Sequence, residues 1–199
     1  MTVITKKNRG IRKAQKVSGR TLVFRNAEIS DAPFILSLRV DREKSRYLSQ
    51  TSPEISQQVA WLEDYAKKTD QAYFIIETKE GLQLGTVRIY DAEGDSFCWG
   101  SWILKDGAPR SAAIESALMV YSYAIDHLGF RDAHHLNTRK GNAGVIRFHE
   151  SFGAERVRET ESEFIYEIKF EKIISMREKV KMYLPSNVIV NWDGSSYVA

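Results

Sequence analysis

Apolar positions along the chain recur with two periods, and the switches between them mark out the elements. Thr21-Leu-Val-Phe-Arg reads as a first strand. Ser30-Asp-Ala-Pro predicts a helix to about Val40, with Ser30 as cap and Pro33 in the first turn, where no N–H is needed. Ser52-Pro-Glu predicts a second helix to about Lys68, with Ile55, Val59, Leu62 and Ala66 on one stripe. Three strands follow, Ala72 to Thr78, Leu84 to Tyr90 and Ser96 to Leu104, with turns at Lys79-Glu-Gly-Leu and Glu93-Gly-Asp. Strand–turn–strand–turn–strand argues for an antiparallel meander. Arg110 to Leu128 reads as a long helix stopped by Gly129, Ala133 to Thr138 as a strand, and Asn142 to Phe152 as a short helix stopped by Gly153. Glu155 to Thr160 and Glu163 to Phe170 form a hairpin, and Glu171 to Tyr183 a last helix before Pro185. The order β-α-α-β-β-β-α-β-α-β-β predicts an α/β fold: a mixed, mostly antiparallel, twisted sheet with helices on both faces.

Charge divides the chain. Of 29 basic residues, seven lie within residues 1–20, where there is no acid; the rest holds 22 basic and 26 acidic side chains. Three segments are expected: a solvated basic extension over 1–20, a folded domain over 21–170, and a helix and tail over 171–199, where Val188-Ile-Val is the one apolar run of the tail. The basic arm has no aromatic residue to stack on bases, which argues against nucleic acid as a partner. A lone Cys98 excludes an internal disulfide, and four scattered His do not spell a zinc site, so no metal is expected. No apolar run reaches the length of a membrane span, and the basic N-terminus lacks an apolar h-region. The expected setting is cytoplasmic, away from membranes, and compatible with a homodimer.

Two segments carry the candidate chemistry. In Gly107-Ala-Pro-Arg-Ser-Ala-Ala-Ile-Glu a strand ends at Leu104 and a helix opens on small residues, so backbone N–H groups at its positive end are accessible to an anion. In Asn142-Ala-Gly-Val-Ile-Arg-Phe-His-Glu-Ser-Phe-Gly, Asn142 can cap the helix, while Val145, Ile146, Phe148 and Phe152 share its apolar side near His149. His134 and His135 are adjacent on a strand and face opposite sides, so one of them can reach a cleft. Arg39, Arg42, Lys44 and Arg46 are a cationic cluster near Tyr47 and Trp61; cations and aromatics suit an anionic, ring-bearing ligand. Cys98 and Trp61 read as core residues, and Asp91, Glu93 and Asp95 as a solvated turn.

In this element order, the two segments resemble the GCN5-related N-acetyltransferase (GNAT) family, over roughly Leu22 to Phe170. Asn142, Val145, Ile146, Phe148, Glu150, Phe152 and Gly153 fit its second signature, with His149 at a position usually held by Tyr. The first signature departs: Pro109 and Ser111 stand at its usual Gly positions, and Pro109 has no N–H to donate. The resemblance implies that acetyl-CoA is the donor. Ile103, Leu104, Arg110, Ser111, Ala112, Ala113 and Asn142 would then contact it. It also implies that His149 protonates the departing thiolate, with an imidazole near its ordinary pKa of ~6.5; the base is left unassigned, with His135 the candidate that strand alternation offers and a relay through water the alternative. Arg39, Arg42, Arg46 and Tyr47 would bind the acceptor, a small-molecule amine. Both segments look like those of acetyltransferases of amino-sugar nucleotides and surface polysaccharides. The alternatives are acetylation of a protein N-terminus and a non-catalytic acyl-CoA-binding module.

Overall fold

The structure, a computed structural model, describes residues 9–41, 43, 46–47 and 49–192. Its centre is one nine-stranded sheet. The strands in chain order are β1 (Lys16–Ser18), β2 (Leu22–Asn26), β3 (Ala72–Thr78), β4 (Gln83–Glu93), β5 (Ser96–Leu104), β6 (Asp132–Arg139), β7 (Glu155–Glu159), β8 (Glu163–Ile168) and β9 (Ile189–Asn191). Their spatial order is β7-β8-β6-β5-β4-β3-β2-β1-β9. Every pairing is antiparallel except β5 with β6, which is parallel. The five α-helices among the described residues are α1 (Ala32–Val40), α2 (Ile55–Lys67), α3 (Arg110–Ser122), α4 (Ala143–Ser151) and α5 (Phe170–Lys179). A π-helical turn, Tyr123–His127, continues α3, and Gly129, at φ +79°, ends it.

Two buried clusters divide the packing. The larger includes Phe74, Phe97, Trp99, Tyr121, Phe130 and Ile173 and joins one face of the sheet to α3 and α5. The smaller joins α1 and α2 to the sheet through Ile35, Leu62, Tyr65, Tyr73 and Ile75. Helices on both faces follow, as the element order requires.

The ends of the chain differ from expectation. Residues 9–20 include buried Ile11, Ala14 and Val17, and β1 pairs with β2 on one side and β9 on the other. The described part of the basic segment is therefore sheet and core, not a solvated extension, with exposed Lys16 beside buried Val17 in β1; residues 1–8 lie outside the described residues. The tail likewise returns as β9. Divisions at residues 20 and 170 do not separate the sheet. The caps also shift. Ser30 lies within a 3₁₀ turn, Ile29–Asp31, where the Asp31 carboxylate accepts the Glu28 N–H at 2.8 Å and pairs with Arg25 at 2.7 Å. Ser52 and Pro53 precede α2, whose cap is Glu54.

One buried carboxylate ties the ends of the chain to the helix behind the site. Glu115 of α3 is 1% exposed. It accepts from Thr21 N at 2.6 Å, Thr21 Oγ1 at 2.5 Å and Leu22 N at 3.0 Å. The β1–β2 turn lies so close that a Cβ on Gly19 would meet Met119 Sδ at 2.6 Å. Removing the carboxylate leaves buried donors unmatched, so Glu115→Ala should lose about 3 kcal/mol or more of stability, and Glu115→Gln less. Chemical denaturation checks this; an alanine variant as stable as the parent would show that the clamp is incidental.

Candidate active site

The site is built where two strands part. β5 and β6 are paired only at Ser96–Asp132, Phe97–Ala133 and Cys98–His134. Beyond Cys98, β5 stays with β4 and β6 stays with β8, so a fork opens between them. A bulge in β5 between its partners for Thr86 and Arg88 bends the strand there. Ser101 sits in it at φ +47°, and its carbonyl accepts from Thr86 Oγ1 at 2.8 Å. A non-glycine residue at this φ is strained.

The fork opens into a cavity of about 560 Å³. His135 of β6 and His149 of α4 both line it, with ring centroids 3.8 Å apart and planes at 32°. Trp99 packs edge-on against both, at 5.4 Å and 5.7 Å. His134 instead lines a cavity on the other side of the sheet, where Nδ1 meets Ser96 Oγ at 2.8 Å.

The fork also fixes a tautomer. At Trp99 the strands are no longer paired, and the Trp99 carbonyl lies 3.3 Å from His135 Nδ1. A carbonyl only accepts, so Nδ1 carries the hydrogen and Nε2 keeps its lone pair. His135 Nε2 and His149 Nδ1 are both buried and have no hydrogen-bond partner. Burial holds His149 down to about 4 and His135 well below its ordinary value, with the His149 charge a further cause for His135. Both rings are therefore neutral at pH 7. This corrects the expectation of a His149 pKa near 6.5, because α4 buries the ring to 5% exposure.

Local sequence explains how α4 delivers His149. Asn142 caps the helix by accepting from Val145 N at 3.2 Å, and Gly153 closes it at φ +86°. Phe148 stacks on Phe152 at 4.3 Å and packs at a 49° tilt against Trp102 at 4.8 Å, which fixes the rotation of the helix.

Asn142, Arg39 and Tyr47 also line the cavity. The Arg46 guanidinium lies over the Tyr47 ring at 5.3 Å, outside the lining, and Arg42 lies outside the described residues. Ile103, Leu104, Arg110, Ser111, Ala112 and Ala113 are not in the lining. At the start of α3 the Ala112 N–H donates to Pro109 O at 2.8 Å. Ala113, the fourth helical residue, has an intrahelical acceptor, so Arg110 and Ser111 retain the free N–H groups of this turn. Cys98 is also in the lining, but burial pushes its thiol up to about 11, so it is no thiolate nucleophile. Sequence reasoning missed Trp99, Tyr90 and Arg88, whose places at the site are set by packing between elements distant in sequence.

A family model described as "Acetyltransferase (GNAT) domain" matches residues 21–155. The chain belongs to the GNAT acetyltransferase family. The GNAT fold accounts for the forked sheet, and the family uses acetyl-CoA as donor. Among solved structures, apo FdhC, described as a nucleotide-linked sugar GNAT, is similar at 33% identity and a TM-score of 0.75, covering 85% of this chain and 98% of that one. A GCN5-related N-acetyltransferase from Brucella melitensis shares the fold at 17% identity and a TM-score of 0.69, covering 85% and 84%. So does a variant of the SpeG spermidine N-acetyltransferase of Vibrio cholerae, at 14% identity and a TM-score of 0.63, covering 77% and 96%. No curated protein matches the chain. Among the described residues no helix is long and apolar enough to cross a membrane.

The depressed His149 pKa has a consequence for stability. The unfolded chain takes up this proton near pH 6.5, whereas the folded protein resists it down to about 4. Stability is therefore intact above about 6.5 and falls as pH drops towards 4. At the low end the loss attributable to His149 is roughly 3 kcal/mol. Urea denaturation across this range should show a flatter profile for His149→Phe than for the parent; parallel profiles would contradict a buried, neutral His149.

Proposed function

We propose that this N-acetyltransferase acts on the primary amine of a nucleotide-linked amino sugar, with His135 and His149 as the groups that move protons. The observation that carries the catalytic reading is the pair of neutral imidazoles at the fork, each with a buried nitrogen that has no partner. The likeness to FdhC at 33% identity supports the acceptor class.

The residues present suit acetyl-CoA. Beyond Cys98 the edge of β5 towards β6 is free of strand pairing, and Arg110 and Ser111 hold the unpaired N–H groups of α3. Ile103, Leu104, Ala112, Ala113 and Asn142 complete the donor-binding set in this reading. When bound, acetyl-CoA supplies an acetyl group activated as a thioester. His135, held by the Trp99 carbonyl, accepts at Nε2 the proton that the attacking amine gives up as its N–C bond forms. His149 donates an N–H hydrogen bond to the sulfur released as the C–S bond breaks, and the proton lost by nitrogen finally resides on sulfur. A neutral imidazole suits both tasks, since it holds one donor and one acceptor. Trp99, Phe148 and Tyr166 pack around the pair and exclude water there. Arg39 and Tyr47 bind the acceptor on the opposite wall, with Arg42 and Arg46 adding positive charge along the same link.

His149→Ala should lower the single-turnover rate by ~10²–10⁴-fold while changing the KM for acetyl-CoA little, since proton transfer is realised mainly in the transition state. His149→Tyr, which restores a donor, should recover part of the rate. Single-turnover assays with a nucleotide-linked amino sugar check this; an alanine variant reacting at the parent rate would make His149 a packing residue alone.

A further inference from the structure

A second cavity, of about 270 Å³, adjoins the cleft; among the described residues it is lined by two arginines, Arg39 and Arg88, and no acidic side chain. Arg39, Ser49 and Ser101 line both cavities, so the two spaces share a wall. The rest of the lining is amide, hydroxyl and aromatic, including Gln57, Thr51 and Trp61.

Among the described residues Arg88 has no counter-ion. Its guanidinium lies over the rings of Tyr90 and Trp61, at 4.5 Å and 5.6 Å. Its Nε is buried and has no hydrogen-bond partner. A buried guanidinium donor ordinarily meets a carboxylate or a phosphate. Here two aromatic faces fix the side chain and leave Nε without a partner. Arg39 is anchored differently: Nε donates to Thr51 Oγ1 at 2.6 Å, and Nη2 to Ser49 Oγ at 2.9 Å and Ser49 O at 3.1 Å. Those bonds hold the guanidinium at the junction of the two cavities. Trp61 is stacked on Tyr65 at 5.8 Å with planes at 2°, yet remains 37% exposed, so an aromatic surface borders the cations.

We infer that this second cavity is a diphosphate subsite, in which Arg88 and Arg39 bind the diphosphate of the acceptor and so align its amine with His135 and His149. The inference rests on the acceptor proposed above and names what selects it. A guanidinium fork matches phosphate oxygens in pairs, so the Arg88 fork with Nη1 of the anchored Arg39 beside it suits two linked phosphates. Trp61 offers a face to the ring at the far end of the diphosphate. Amines without phosphate gain nothing from this cavity.

A diphosphate has two sources in this reaction, since CoA carries one as well. Calorimetric titrations of the full chain with uridine diphosphate, thymidine diphosphate, inorganic pyrophosphate and acetyl-CoA separate them. The parent should bind at least one nucleoside diphosphate, with inorganic pyrophosphate competing and affinity falling as salt rises. Arg88→Met should weaken nucleoside diphosphate binding about 10–100-fold, the scale of lost charge-assisted hydrogen bonds. Arg88→Lys, which keeps the charge and loses the fork, should fall between. Acetyl-CoA affinity should persist in both variants, which also reports that they are folded. If Arg88→Met misfolds, the competition experiment on the parent and the lysine variant decide. Nucleoside diphosphate affinity unchanged in the Arg88 variants would overturn the subsite. So would a selective loss of acetyl-CoA affinity, which would place the donor's diphosphate here. If nucleotide-linked amino sugars are acetylated but pyrophosphate does not compete, the subsite fails and the acceptor assignment stands. If only phosphate-free amines are acetylated and no nucleoside diphosphate binds, the acceptor assignment fails and the subsite with it.

Discussion

Beyond Cys98 and His134 the backbones of β5 and β6 stop pairing, and the Trp99 carbonyl takes its donor from the His135 ring instead. A buried carbonyl must find a donor, and the strand that would have supplied one has turned away. This substitution has three consequences. It holds the fork open, because a ring now stands where a backbone N–H would. It sets the hydrogen of His135 on Nδ1 and frees Nε2. It also places that ring against His149, which α4 brings in from the other side. The parallel pairing of β5 and β6 matters for the same reason, because a single parallel junction in an otherwise antiparallel sheet is where neighbouring strands can diverge without exposing an outer edge.

Burial then decides the chemistry of the pair. Two imidazoles in contact, under Trp99 and with almost no exposure, cannot both hold charge: burial lowers the proton affinity of each, and the His149 ring lowers that of His135 further. The pair is neutral at pH 7, and the proposed proton transfer starts from neutral imidazoles. The opposite wall is arranged the other way. Arg39 and Arg88 stand where, among the described residues, no carboxylate lines the space, and aromatic faces and hydroxyls hold them in place. A neutral proton-transfer pair beside a cationic wall suits an acceptor that is anionic at one end and carries an amine at the other.

Much of this was legible in the sequence where a residue type has one physical use. Asn142 before an apolar run and Gly153 after it mark a capped and closed helix, and the structure has both. Alternation put His134 and His135 on opposite sides, which the two cavities show. The Arg110 helix, with Gly129 past its end, was also readable. Features set by long-range partners were not. β1 has one buried apolar residue, Val17, among cations, and becomes a strand only because β2 and β9 flank it. Glu115 reads as an ordinary helix carboxylate until the β1–β2 turn is laid over it. Arg88 sits in a strand among many alternating polar residues, and only the packing of Tyr90 and Trp61 distinguishes it. The His149 pKa depends on burial between elements far apart in sequence, which residue spacing does not report.

The central claim is that His135 and His149 act as one unit at the fork. A double-mutant cycle on single-turnover acetyl transfer, with His135→Gln, His149→Ala and the double variant, tests it most directly. Residues acting as a unit are strongly non-additive, so the double variant should be about as slow as the slower single variant. Losses that multiply in the double variant, or a pair of single variants at the parent rate, would contradict the account.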